Sequence, residues 1–124
     1  MSELKQVLIV EDTDSGRALI RAWIEAAAQV AGKVPPKIRE AKNGPEARRE
    51  VLTYRPDKVI LDAVLPGESA EDLALYFEQA GVPWIGVSAA QDPSPQSPRR
   101  LAKPTWETLA QRAIPLASLL WPKS

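Results

Sequence analysis

Three apolar runs in this chain stop abruptly at residues able to do chemistry. Val7-Leu8-Ile9-Val10 breaks into the acidic pair Glu11-Asp12, Lys58-Val59-Ile60-Leu61 ends at Asp62, and Trp84-Ile85-Gly86-Val87 ends at Ser88. A shorter stretch, Arg100-Leu101-Ala102, ends at Lys103-Pro104. If the runs are parallel neighbouring strands, three carboxylates, a hydroxyl and an amine converge at one edge of a sheet. At about 5 Å separation and an effective dielectric of about 20, each carboxylate pair repels by about 3 kcal/mol, so the cluster calls for a cation. Oxygen donors without thiolate or imidazole favour a hard ion such as Mg²⁺.

Composition narrows the field. The 124 residues suit one compact domain over 1–124, with its core over about 4–121, and the 44% hydrophobic content is enough for a core. Lys plus Arg and Asp plus Glu both number 16 and are interspersed, which argues against a direct nucleic-acid footprint or a membrane-binding face. The absence of cysteine excludes disulfides and thiolate metal sites, and the polar start reads as neither signal peptide nor spanning helix, so a cytoplasmic location is expected. Histidine is also absent, so any phosphohistidine chemistry needs a partner.

The elements that must position these groups alternate between apolar runs and helix-period segments, the pattern of an α/β fold with a parallel sheet. Five strands and four full helices are expected. Leu19, Ile20, Trp23, Ile24 and Ala27 recur at helical spacing, with Asp14 or Ser15 as N-cap. After Pro35-Pro36 comes a short edge strand, Lys37 to Ala41. Asn43-Gly44-Pro45 then turns into a helix, Glu46 to Tyr54, with proline in its first turn. Ser69 can cap a helix whose Leu73, Tyr76, Phe77 and Ala80 share a face and which Gly81 stops. The last helix starts near Thr105, carries Leu109, Ala113, Leu116 and Leu120 on one stripe, and is expected to kink or break at Pro115.

Taken singly, these residues have plain structural readings. Glu11-Asp12 would favour the start of a helix through its dipole. Asp62 before a Pro-Gly turn suits an ordinary turn, Ser88 a solvated loop, and Lys103-Pro104 a strand end. Jointly, those readings leave unexplained why reactive groups terminate four strands.

In order and spacing, Val7-Leu8-Ile9-Val10-Glu11-Asp12, Asp57-Lys58-Val59-Ile60-Leu61-Asp62 with Leu65-Pro66-Gly67, Val87-Ser88-Ala89 and Lys103-Pro104 resemble the receiver domain of bacterial response regulators over about residues 4 to 121. The resemblance implies a three-layer, doubly wound, flavodoxin-like domain with a five-stranded parallel sheet of order 2-1-3-4-5. It also implies Mg²⁺-dependent phosphorylation of Asp62 by a histidine kinase or histidine phosphotransfer protein, with no turnover of a separate substrate. By the same resemblance Asp12 and Asp62 ligate the ion directly, Glu11 acts through water, and the Val64 backbone carbonyl supplies another oxygen. Lys103 pairs with the phosphoryl group and Ser88 donates a hydrogen bond to it.

The chain departs from that pattern in three places. The interval from Ser88 to Lys103 is short and contains Pro93, Pro95 and Pro98, so the fourth helix of the family is expected to be missing or reduced to a loop, leaving apolar surface for a partner or a homodimer. Arg100 stands where the family has its switch aromatic. Ser69-Ala70 stands where Asp-Gly is common. Two other functions remain in view. A receiver-like interaction module would work without phosphorylation. A haloacid-dehalogenase-like phosphatase would need a second acid two residues after Asp62, where this chain has Val64.

Overall fold

The computed structural model describes residues 4–63, 65, 67–88 and 100–122. Among them are five strands, β1 (Gln6–Val10), β2 (Lys37–Ala41), β3 (Lys58–Asp62), β4 (Trp84–Ser88) and β5 (Arg100–Ala102), and four helices, α1 (Asp14–Ala31), α2 (Gly44–Tyr54), α3 (Ala70–Gln79) and α4 (Leu109–Leu120). The strands form one sheet in the order β2-β1-β3-β4-β5, with all pairs parallel. This is the expected order. The eleven residues between β4 and β5, on which the expectation of a missing fourth helix falls, lie outside the described residues, as does Val64.

Side chains alternate across the central strands, so each strand feeds two cores. On one face Val7, Ile9, Ile60, Ile85 and Val87 pack with Ile20, Trp23 and Ile24 of α1 and with Ala113, Leu116 and Leu120 of α4. On the other, Leu8, Val10, Val59 and Leu61 pack with Val51 of α2 and Leu73 and Phe77 of α3. The result is three layers. Two aspects of the sheet matter for its upper rim. The ladder runs past the strand ends through Glu11 N to Ala41 O (3.0 Å), Ala63 N to Val87 O (2.8 Å) and Lys103 N to Ser88 O (2.8 Å). At the opposite rim, Asp57 Oδ2 accepts the amides of Lys5 (2.8 Å) and Gln6 (2.9 Å) at the start of β1.

Local signals explain most boundaries. Asn43 caps α2 and Ser69 caps α3 through side-chain bonds to the amides of Glu46 (2.9 Å) and Asp72 (3.2 Å). Gly81, at φ 75°, follows α3 in the left-handed conformation that ends a helix. On the expected stripes, Leu19 is only partly buried and Ala80 is exposed.

Three expectations about helices need correction. The N-cap of α1 is Thr13, not Asp14 or Ser15: its hydroxyl accepts from Gly16 N at 3.0 Å. The last helix begins at Leu109 rather than near Thr105, because Thr105 and Thr108 bond to each other's amides and hydroxyls and close a separate turn first. Pro115 does not break α4, which runs from Leu109 to Leu120. Proline leaves the Gln111 carbonyl without its amide partner, but the buried stripe Ala113, Leu116, Ala117 and Leu120 holds the helix against α1. The Trp23 indole N–H adds a bond to the neighbouring Arg112 carbonyl at 2.8 Å.

Candidate functional site

The carboxyl ends of β1 and β3 meet at the point where strand order reverses, which is where open parallel sheets place their ligands. Glu11, Asp12 and Asp62 converge there, with one carboxylate oxygen from each lying within 4.8 Å of the others. Glu11 and Asp62 are buried, at 3% and 6% exposure, while Asp12 is exposed. Ser88 is buried at the end of β4, one residue beyond the Asp62–Val87 register pair. Lys103, just past β5, extends its amine to Glu11 Oε1 (3.2 Å) and Asp62 Oδ2 (3.1 Å). The structure thus brings together Glu11, Asp12, Asp62 and Lys103 and sets Ser88 on the adjoining strand end. The Val64 carbonyl lies outside the described residues.

Electrostatics inside the cluster are sharply arranged. Burial alone would push the Glu11 carboxyl up. The Asp62 carboxyl, the Thr13 hydroxyl, the Thr13 amide and the Lys103 ammonium outweigh burial and hold the Glu11 pKa at about 2. Burial likewise pulls the Lys103 amine down, but pairing with Asp62 and Glu11 raises it above its ordinary value. Three acidic side chains against one ammonium leave the cluster short of positive charge. An all-oxygen donor set with that deficit fits a hard divalent cation, and Asp12, exposed at the rim, is the acid most open to it.

Two contributors were not singled out in the sequence. Thr13 gives Glu11 Oε2 both its amide (2.5 Å) and its hydroxyl (2.7 Å). Arg17 is 6% exposed; it donates to the Glu11 backbone carbonyl (2.9 Å) and to Glu40 Oε1 (3.1 Å), and pairs with Asp14. It therefore ties the β1–α1 loop to α1 and β2. Its signal was present in the chain: Arg17, Ile20 and Ile24 recur at helical spacing, placing a guanidinium on the apolar face.

Away from the cluster, Arg100 lies along Gly86 and lines an apolar groove with Leu61, Ala63, Leu75 and Trp84. Next to the loop that leaves Asp62, Arg48 of α2 pairs with Glu68 through two hydrogen bonds, one of them 2.9 Å. No described helix is long and apolar enough to cross a membrane.

With this geometry in place, the chain can be set beside known proteins. No family profile matches it. It is 39% identical over 62 residues to the chemotaxis protein CheY of Halobacterium salinarum, a match covering 50% of this chain and 46% of that protein. The match thus spans less than half the length of that relative. Among solved structures, the response regulator domain of Thermotoga maritima CheB superposes with a TM-score of 0.74 at 20% identity, covering 95% of this chain and 94% of that one. A putative response regulator from Chloroflexus aurantiacus gives 0.71 at 23% identity, covering 98% and 100%. The fold and site define an open, doubly wound α/β domain with an acidic cluster at its switch point. More narrowly, the architecture is that of the receiver domains of response regulators.

Proposed function

We propose that this chain is a phosphoacceptor receiver domain of a two-component or phosphorelay system, with Asp62 as the acceptor. The observation that carries the reading is Lys103 Nζ held between Glu11 Oε1 and Asp62 Oδ2. An ammonium on one oxygen of a buried, strand-end carboxylate is the arrangement that phosphoryl transfer by positioning and charge neutralisation needs.

In this reading, a carboxylate oxygen of Asp62 forms a bond to the phosphorus of a partner's phosphohistidine as the P–N bond breaks. The electron pair returns to the imidazole nitrogen, which is protonated from solvent. Lys103 swings its charge onto the arriving phosphoryl oxygens, and Ser88, buried beside Asp62, donates a hydrogen bond to them. Held by Asp12 and Asp62, with Glu11 behind them and the Val64 carbonyl as a further donor, Mg²⁺ would offset the negative charge gathered in the site. The partners implied are a histidine kinase or histidine phosphotransfer protein and a downstream protein. The chain turns over no separate substrate, and a cytoplasmic setting goes with such partners.

Incubation with acetyl phosphate and Mg²⁺ tests the reading by intact mass. One added phosphoryl group is expected on the wild type and none on Asp62→Asn. Equal labelling of the Asn variant would overturn the assignment.

A second reading is an interaction module that works without phosphorylation. It is favoured by Arg100, whose side chain lines the groove with Leu75 and Trp84 where the family has a switch aromatic. Absence of labelling in the wild type, with the fold intact, would select it.

A further inference from the structure

Gly16 is the third residue of α1, where glycine costs a helix about 1 kcal/mol relative to alanine. Its backbone does not require glycine, because the glycines with positive φ are Gly32, Gly67 and Gly81. Space requires it. A Cβ on Gly16 would run into Cδ and Oε2 of Glu11 and come within 2.7 Å of Thr13 Oγ1. The Glu11 side chain folds back over the first turn of α1, where Oε2 takes the amide and hydroxyl of Thr13 and Oε1 faces Lys103. Thr13 is in turn fixed by Gly16, whose amide donates to its hydroxyl at 3.0 Å.

From this packing we infer that Gly16 is a positioning residue for the acidic cluster. Its bare backbone is the seat that lets glutamate, one methylene longer than aspartate, lay its carboxylate on the helix N-terminus. That placement sets where Oε1 stands relative to Lys103 and Asp62. A side chain at residue 16 would press on the tip of Glu11, the softest atoms nearby, so the carboxylate gives way and not the helix. Aspartate at position 11 would not need the seat, since a shorter acid reaches the amide two residues on through a local Asx turn. Positions 11 and 16 therefore form a matched pair, long acid with glycine. The effect on cation binding rests on the phosphoacceptor reading; the effect on the carboxylate does not.

The test compares wild type, Gly16→Ala, Glu11→Asp and the double variant, reading Thr13 amide exchange by NMR without metal and Mg²⁺ affinity by titration. Gly16→Ala should fold and melt within a few degrees of wild type, the helix gain of alanine offsetting part of the lost hydrogen bond. Its Thr13 amide should exchange about tenfold faster, the loss of one hydrogen bond, and its Mg²⁺ affinity fall about threefold, no further than in Glu11→Ala. Adding Glu11→Asp should return both quantities to those of the Glu11→Asp single variant. Wild-type Thr13 exchange in Gly16→Ala would overturn the inference, as would a defect that persists in the double variant. An unfolded Gly16→Ala protein would also overturn it, by placing the clash on the helix. Mg²⁺ binding by none of the four proteins would remove the phosphoacceptor reading alone, because the Thr13 amide still decides what Gly16 does.

Discussion

Lys103 Nζ lies 3.1 Å from Asp62 Oδ2, so the proposed acceptor carries a cation on one oxygen before any phosphodonor arrives. The same amine reaches Glu11 at 3.2 Å, and two buried acids therefore share one ammonium. Removing it would leave both carboxylates without that charge. A fully buried pair broken in this way costs about 3–5 kcal/mol, and Lys103 is 25% exposed. Lys103→Ala is therefore expected to lose about 2 kcal/mol without metal, a smaller figure because solvent screens the amine. Mg²⁺ should recover most of the loss, while phosphorylation stays slow because the phosphoryl oxygens lack their counter-charge. Denaturant melts with and without Mg²⁺ check the first part, and a loss that Mg²⁺ leaves unchanged would contradict it.

Asp12 and Glu11 should separate on metal titration. Glu11 is already engaged by Thr13 and Lys103, whereas Asp12 is exposed at the rim. Asp12→Ala should weaken Mg²⁺ binding by about tenfold or more, and Glu11→Ala by less, as the loss of a direct ligand outweighs that of a water-mediated one. Tryptophan fluorescence during Mg²⁺ titration gives both values, and the reverse ranking would contradict the proposed ligand set.

Acid stability should report Glu11. Its carboxyl is held at about 2 against an ordinary 4.5, so the unfolded chain binds the proton more readily than the folded one. Its contribution is complete above about pH 4.5 and is lost as pH falls toward 2. Glu11→Gln should flatten the stability–pH curve in that window. Denaturation midpoints measured from pH 2 to pH 6 provide the check, and equal slopes for the two proteins would refute it.

Pro115 offers a packing test. α4 keeps its course although the Gln111 carbonyl lacks its usual helical donor. Pro115→Ala restores that donor and should stabilise the protein by about 1–3 kcal/mol, several degrees in melting temperature. Trp23→Phe should cost about 2–4 kcal/mol, because it removes the indole bond to Arg112 and leaves a cavity where a fully buried ring stood. A destabilised Pro115→Ala protein would show that the proline is needed for the fit against α1.

The strand ends were legible in the sequence because each apolar run stops at a polar residue, and burial on both faces makes such runs continuous. What escaped was choice among equivalents and reach across the chain. Thr13, Asp14 and Ser15 can all cap a helix, and only the Gly16 amide bonded to the Thr13 hydroxyl, which Glu11 in turn holds in place, shows which one does. Pro115 carries a local signal to stop, which a stripe of buried residues overrides. Lys103 lies 41 residues from Asp62 and 92 from Glu11, a separation no local pattern spans; the strand ends placed its amine at the same sheet edge, and the resemblance paired it with a phosphoryl group, so its bonds to the two acids themselves were not legible. Arg17 was passed over because an arginine among apolar residues ordinarily buries its stem and keeps its charge in water.

Asp57 acts as the zero mark of a ruler. Its carboxylate grips the first amides of β1 one residue before β3 begins, and both strands are five residues long. The register that follows pairs Val7 with Lys58 and Val10 with Leu61, so Glu11, the residue just past β1, and Asp62, the last residue of β3, arrive side by side about 16 Å away. A slip of a single residue would carry every β1 side chain to the wrong face. The alignment of the two acids is thus calibrated at the far rim, by a residue that never meets them.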